Sequence, residues 1–334
     1  MKCLVTGGAG FIGSHLVRAL LEHGHSVRVL DDFSTGSRRN IHGLPLEIRE
    51  ASVCDAAAVG AALRDVHWVF HLAALASVTR SLRDPLSTHA VNATGTLLLL
   101  DACRAAGVKR IVYAASSSAY GNSRTLPKHE SMKPTPASPY AAAKLSGEYY
   151  CRVYWEAFRL ETVCLRYFNV FGPRQDPQSE YAAVIPRFIE AALKGRPPVV
   201  YGDGRQSRDF TYVSNVVDAT LLAASAERAV GKVINVACNE RRSLLQVIAM
   251  LEKLLGHSIT PVFEAPRAGD VKHSQAAIGR AEKLLGYRPK TKFATGLRET
   301  LNWYRAQRHA GIKLQESPLP KIRSRPAINE LRGI

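Results

Sequence analysis

No stretch of the 334-residue chain approaches the ~18 consecutive apolar residues of a membrane span, which excludes an integral helical membrane protein. The opening Met1-Lys2-Cys3-Leu4-Val5-Thr6 runs straight into a glycine-rich turn, with neither the long apolar segment nor the cleavage site of a secretory leader, so none is expected. Cysteine is sparse and scattered, at Cys3, Cys54, Cys103, Cys151, Cys164 and Cys238. There is no CxxC pair and no histidine at zinc-like spacing, so neither a disulfide scaffold nor a metal site is expected. Buried free thiols in a reducing compartment, the cytoplasm, fit this usage. Acidic residues are also in short supply, 28 against 45 basic ones, for a net charge of +17. Such a surplus attracts polyanions. Aromatics, however, are only 7% of the chain and do not interleave with the basic residues, so a nucleic-acid groove is not expected.

What remains is ordinary for a globular protein: 46% hydrophobic and 22% charged residues, in a chain long enough for one large domain or two smaller ones. The first half alternates short apolar runs with helical patterns, the rhythm of βαβ units. Strands are expected at Lys2–Thr6, Ser26–Leu30, Leu46–Glu50, Trp68–Ala73, Arg110–Ala115 and Thr162–Tyr167. Helices are expected at Phe11–His23, Ala56–Leu63, Pro85–Ala106 and Pro139–Phe158. The strands are apolar nearly throughout, as when helices cover both faces, and the expected fold is α/β, a doubly wound parallel Rossmann sheet. After Asn169 glycine and proline become frequent, and helical patterns recur at Val184–Lys194, Asn215–Ser225, Leu244–Leu255 and Phe293–His309. We therefore divide the chain into a dinucleotide-binding domain at 1–168, a smaller substrate-binding lobe at 169–311 interleaved with it, and a basic, proline-containing tail at 312–334.

Gly7-Gly8-Ala9-Gly10-Phe11-Ile12-Gly13 follows a strand and opens a helix, the context a dinucleotide-binding turn needs. Gly7 permits the sharp turn, Gly10 lets a pyrophosphate approach the backbone, and Gly13 lets helix and strand pack closely. The phosphates then sit on the positive end of the helix. The second strand ends in Asp31-Asp32, where a carboxylate binds ribose hydroxyls and repels a 2′-phosphate, which favours NAD. Arg38 and Arg39 leave NADP open.

Tyr140-Ala141-Ala142-Ala143-Lys144 puts a phenol and an ammonium on one face of a helix. The ammonium is expected to lower the phenol pKa and make Tyr140 a usable base. Ser116-Ser117-Ser118-Ala119-Tyr120-Gly121 lies at the end of a strand, where ligands bind in this fold. A serine hydroxyl there can bond the substrate oxygen that Tyr140 deprotonates.

Taken together, in this order and spacing, the motifs resemble the extended short-chain dehydrogenase/reductase family, in its nucleotide-sugar epimerase and dehydratase branch. The resemblance covers about residues 1–310 and includes His71-Leu72-Ala73-Ala74, Asn92 with Gly95-Thr96, Arg166-Tyr167-Phe168-Asn169-Val170-Phe171-Gly172-Pro173, Arg208-Asp209-Phe210 and Pro266-Arg267-Ala268-Gly269-Asp270. It implies an enzyme in which Tyr140 takes the proton of the sugar 4-hydroxyl, NAD takes hydride from C4, Ser116 serves as the catalytic serine, and Lys144 also binds the nicotinamide ribose. Further cofactor contacts are implied at Phe11, Ile12, Ser52, Val53, Leu72, Ala73, Ala74 and Asn92. Ser52 stands where the family often has an acidic residue for adenine, and Ala76 where it often has glycine.

The branch also implies the reaction by elimination. Dehydratases carry Asp-Glu before the Tyr-Gly pair, whereas this chain has Ser117 and Ser118. The glutamate of the decarboxylases and the cysteine of the 3,5-epimerase/reductases are likewise missing, which leaves 4-epimerisation. By resemblance Arg208 and Arg267 clamp the diphosphate of a UDP-sugar, with Asn169 alongside, Ser117 near the sugar and Asp270 on the uridine ribose. The same arginines also suit structural salt bridges with Asp209 and Asp270. A large Tyr near C2 excludes an N-acetyl group in this family; here the aligned residue is Ser274, with Gln175 able to bond an acetamido group. UDP-N-acetylglucosamine is favoured, while UDP-glucose and UDP-glucuronate stay open, as does a non-catalytic dinucleotide sensor. Family members commonly form homodimers through the helices expected at Pro85–Ala106 and Pro139–Phe158.

Overall fold

The computed structural model describes residues 1–177, 183–266 and 272–309. The expectations on Tyr181, Ala182, Arg267, Asp270 and the tail at 312–334 lie outside these residues.

Alternate residues of the first strand feed two cores: Cys3 and Val5 face one, Leu4 the other. Val29 and Leu30 divide the second strand in the same way. Apolar side chains on both faces demand cover on both, and the chain supplies it with crossover helices. The sheet strands are β1 (Lys2–Thr6), β2 (Ser26–Asp31), β3 (Glu47–Glu50), β4 (Trp68–His71), β5 (Arg110–Ser116) and β6 (Glu161–Tyr167), all parallel. A seventh strand, Lys232–Val236, lies beside β6, with Lys232 opposite Val163 and Val236 opposite Tyr167. From that edge the order is the seventh strand, β6, β5, β4, β1, β2, β3. Order reverses between β4 and β1, so their C-terminal ends open the crevice where such sheets bind ligands.

Helix Phe11–Glu22 packs with Val213–Ser225 on one face, and Ala56–Ala62, Gly95–Ala105 and Pro139–Phe158 pack on the other. The seventh strand and helix Val213–Ser225 were not separated from the smaller lobe in the sequence, yet both build the sheet layer. The single helix expected at 85–106 is broken into Pro85–His89, a π-helical turn Ala90–Thr94 and Gly95–Ala105. The wider turn brings Asn92 fully inside. Beyond β6 the remaining strands are short: Val170–Phe171 pairs with Thr211–Tyr212, Ser207–Asp209 with Arg241–Ser243, and Val199–Tyr201 with Val262–Glu264.

Candidate active site

The glycine turn is as tight as its composition requires. Gly7 has φ +70°, and a Cβ there would lie 2.6 Å from the Ala73 nitrogen. A Cβ on Gly13 would lie 2.1 Å from the Gly7 carbonyl oxygen. The turn thus packs directly on the Leu72–Ala73 backbone beyond β4, and Gly10 opens helix Phe11–Glu22 with no side chain capping the N–H groups of its first turn. Uncapped amides at Phe11, Ile12 and Gly13, reached only past glycines, fit a pyrophosphate. Asp31 closes the turn, accepting from the Ala9 N–H at 2.9 Å and the Phe33 N–H at 2.9 Å, while burial raises its pKa. Asp32 is exposed and accepts from the Ser34 N–H at 3.0 Å and the Ser34 hydroxyl at 2.6 Å. Arg38, on which NADP depended, is paired with Glu50 and lies 4.1 Å over the Phe33 ring. Ser52 accepts from the Cys54 N–H at 3.3 Å, and Val53 packs against the bare face of Gly95.

Beneath the crevice runs a directed chain of hydrogen bonds. The Thr96 hydroxyl donates to the Asn92 carbonyl at 2.7 Å, so it receives the Nε2 proton of His71 at 2.9 Å. Nδ1 of His71 is then the acceptor for the Thr6 hydroxyl at 2.7 Å, and Thr6 accepts from the Ala73 N–H at 3.3 Å. Burial, with the Lys144 charge nearby, lowers the His71 pKa to about 3 and keeps this ring neutral. Asn92 accepts from the Leu75 N–H at 2.8 Å and donates to the Leu75 carbonyl at 3.2 Å. It therefore shapes the loop Leu72–Leu75; Ala74 in that loop is half-buried and Ala76 beyond it exposed.

The structure brings Ser116, Tyr140 and Lys144 together. Ser138 caps helix Pro139–Phe158 by accepting from the Ala141 N–H at 3.2 Å, and Pro139 occupies its first turn, which starts the helix one residue before Tyr140. Ser116, the last residue of β5, accepts from the Ser118 N–H at 3.2 Å and the Ser118 hydroxyl at 2.8 Å. Ser117 follows it as the first residue of a 3₁₀ turn, Ser117–Tyr120. Lys144 is buried; its Nζ donates to the Ala114 carbonyl at 2.9 Å and lies 4.9 Å over the Tyr113 ring. Burial brings its pKa down to about 8. The phenol of Tyr140 departs from expectation. Its pKa is raised by burial and only partly restrained by the hydrogen bond from Ser116. The expected lowering by Lys144 is not found: desolvation of the phenolate is the largest effect on Tyr140, and the ammonium is bonded to the Ala114 carbonyl.

A cavity of about 230 Å³ opens in the segment after β6, lined among others by Asn169, Phe188, Tyr201, Gln206, Arg208 and Phe210. The amide of Asn169 donates to the Asp209 carbonyl at 3.1 Å and to the Ser274 hydroxyl at 3.1 Å. Arg208 donates to the carbonyls of Ser207 at 3.1 Å and Lys272 at 3.2 Å. The Asp209 carboxylate accepts from the N–H groups of Cys238 at 3.0 Å and Ala276 at 3.1 Å, and burial pushes it up to about 6. It holds backbone from two distant segments. Gln175 donates to the Val170 carbonyl at 3.3 Å, and its buried Oε1, like that of Gln206, has no partner among the described residues. Tyr201, Gln206 and Phe188 were missed in the sequence. The one local signal was an aromatic immediately before the turn Gly202-Asp203-Gly204. Among the described residues no group of three or more His, Cys, Asp or Glu side chains could hold a metal, and no helix is long and apolar enough to cross a membrane.

This constellation of glycine cradle, Ser116, Tyr140 and Lys144 at one end of a doubly wound sheet defines a dinucleotide-dependent enzyme class. Residues 3–237 match the model of the NAD dependent epimerase/dehydratase family, and the chain belongs to that family. It is 39% identical over 311 residues to a UDP-glucose 4-epimerase of Mycolicibacterium smegmatis, covering 91% of this chain and 99% of that one. Among solved structures it is similar to a UDP-N-acetylglucosamine 4-epimerase from Methanobrevibacter ruminantium in complex with UDP-N-acetylmuramic acid, with 41% identity, a TM-score of 0.88 and coverage of 92% and 98%. It is also similar to a UDP-glucuronic acid 4-epimerase from Bacillus cereus in complex with UDP-glucuronic acid and NAD, with 35% identity, a TM-score of 0.86 and coverage of 92% and 99%.

Proposed function

We propose that this protein, an NAD-dependent UDP-sugar 4-epimerase, interconverts UDP-N-acetylglucosamine and UDP-N-acetylgalactosamine, and takes UDP-glucose as a second substrate. The observation that carries the chemistry is the meeting of Ser116, at the end of β5, with Tyr140, on whose phenol it bears, and with buried Lys144 one helical turn away. Tyr140 removes the proton from the sugar 4-hydroxyl and later returns it, with Ser116 bonded to the same oxygen. Lys144, a buried ammonium one helical turn from Tyr140, binds the nicotinamide ribose. NAD, when bound, supplies the hydride acceptor for C4 and the hydride that returns. The glycine turn, Phe11, Ile12, Asp31 and Asp32 hold the dinucleotide, and Ser52, Val53, Leu72, Ala73, Ala74 and Asn92 frame it.

The UDP moiety belongs in the 230 Å³ cavity. Tyr201 offers a ring face for the base, with the Arg187 guanidinium 5.9 Å from it. Oε1 of Gln206, buried and unpartnered, suits a ring N–H donor. Arg208 and Asn169 lie at the same cavity for the diphosphate. By the family resemblance Arg267 joins them on the diphosphate and Asp270 takes the uridine ribose, both outside the described residues. The choice of sugar is supported by Ser274, a small side chain bonded to Asn169, and by the unpartnered Oε1 of Gln175, an acceptor for an acetamido N–H. The Methanobrevibacter relative points the same way. UDP-glucuronate is the second reading, favoured by the Bacillus cereus relative.

The enzyme acts as a cytoplasmic homodimer. Free thiols at all six cysteines support the compartment. Exposed Val78, Leu82 and Leu86, beside exposed Tyr149 and Val153 on helix Pro139–Phe158, support the pairing face.

Proton NMR of the purified protein with UDP-N-acetylglucosamine, without added NAD, tests the reading. Growth of the UDP-N-acetylgalactosamine anomeric signal to a constant ratio is expected. Ser274→Tyr should cut that turnover relative to UDP-glucose by about tenfold or more, as a filled pocket rejects added bulk. Turnover of UDP-glucose or UDP-glucuronate alone would sink the choice of sugar and keep the mechanism.

A further inference from the structure

The proton chemistry above leaves a buried charge pair beside it without a role. Tyr140, Lys144 and Glu148 stand at four-residue intervals on helix Pro139–Phe158 and share one face, with Cβ atoms about 5–6 Å apart at each step. Glu148 holds Arg166 of β6 in a fork, accepting from Nε at 2.9 Å and from Nη2 at 2.6 Å. The two side chains are 3% and 4% exposed. The guanidinium also lies 4.6 Å over the ring of Tyr120, the last residue of the turn that Ser116 caps. The Tyr120 hydroxyl donates to Asn235 Oδ1 at 2.7 Å, on the seventh strand. One ion pair therefore touches the helix that carries Tyr140 and the turn that follows Ser116.

Packing alone does not account for it. Desolvation offsets most of the Coulomb gain of a buried ion pair, and apolar residues would join helix and strand as well. The groups facing Lys144 and Glu148 from the packed elements are His71 of β4, Tyr113 of β5, Cys164 and Arg166 of β6, and Cys151 of the same helix. His71 is neutral; burial raises the pKa of Tyr113, and the hydrogen bond with Cys151 followed by burial raises that of Cys164, so neither carries charge at neutral pH. Against burial, Cys151 and then Glu148 favour the Lys144 ammonium, and Glu148 is the one carboxylate among the described residues that does so.

We propose that Glu148 is a positioning residue of this site: through Arg166 it seats the Ser116 turn against the helix of Tyr140, and through its own charge it keeps Lys144 an ammonium. The proposal rests on the roles given above to Ser116, Tyr140 and Lys144.

The test is carbon-13 NMR of the full chain labelled at lysine Cε, with the Lys144 resonance assigned by its loss in Lys144→Met. The wild-type midpoint is expected at about pH 8. In Glu148→Gln it should fall by about one unit, the low end for losing an opposite charge at this range. Glu148→Asp should restore it. Equal midpoints in wild type and Glu148→Gln would overturn the proposal. Should Glu148→Gln fail to fold, Glu148→Gln/Arg166→Gln removes both charges together, and a smaller fall of the midpoint is expected, because loss of the Arg166 cation partly offsets loss of the carboxylate; an unchanged or raised midpoint there would overturn the proposal. In parallel, kcat of Glu148→Gln at pH 8 should drop roughly fivefold with KM unchanged, as a one-unit shift of the ammonium requires. The NMR midpoints do not depend on turnover. A wild type that epimerises no UDP-sugar would therefore count against the proposed function, while the midpoints still decide the role of Glu148.

Discussion

The half of this molecule proposed for the cofactor and the cavity proposed for the UDP moiety are assembled on opposite plans. In the first, the key atoms sit at the ends of neighbouring parallel strands: the glycine turn after β1, Asp31 on β2, the Leu72–Ala73 loop after β4 and Ser116 on β5. Ladder register brings them together, since Thr6 stands opposite both Leu30 and His71. The pocket instead gathers residues from 169–171, 183–188, 199–210 and 244, on strands of two or three residues and the helices between them. Side-chain bonds do the joining there, above all the Asp209 carboxylate, which draws the Cys238 and Ala276 N–H groups to one point. A sheet that fixes backbone positions suits chemistry, where small displacements are costly. Loops held by side chains suit recognition, where a change in one residue alters the preferred ligand without moving the reacting groups.

The sharpest way to break this division is to remove one group from each half. Tyr140→Phe takes away the proton acceptor and should lower kcat by about 10²–10⁴-fold, with UDP-sugar affinity close to wild type. Retained turnover in the NMR assay would mean that another base acts and that the Ser116–Tyr140 bond is only structural. Tyr201→Ala strips the ring from the pocket and should raise KM roughly tenfold, as loss of one stacked base does, with kcat within about twofold. A fall in kcat without a rise in KM would show that the two halves are not separable. The smallest effect is in the pH profile. Burial sets the Lys144 pKa below its ordinary 10.5, at about 8, so the ammonium is present below that pH and lost as pH rises through it. The alkaline limb of kcat should therefore have its midpoint near pH 8 in the wild type. A limb lying two units higher would show that Lys144 is far more solvated than its burial implies.

Local patterning accounts for much of what was legible beforehand. Helix Leu244–Leu255 has the same ends in sequence and structure because Ser243 and Gln246 form a capping box at one end and Gly256 takes φ +78° at the other. Helix Pro139–Phe158 likewise carries its start signal in Ser138-Pro139. The glycine turn and Tyr140 with Lys144 are legible for a related reason: sterics and helical spacing act over a few residues, so the chemistry is written in adjacent letters.

The chain by itself determined the doubly wound class, the cofactor cradle and the Ser116, Tyr140 and Lys144 group. Tertiary structure alone decided that Lys232–Val236 completes the sheet beside β6, that Asn92 turns inward to hold Leu75, and that Glu148 meets Arg166 beneath the site. It also decided that burial raises the pKa of the Tyr140 phenol. The physical reason is common to all four: partner identity and desolvation depend on which distant segments pack together, and short-range spacing carries no record of either.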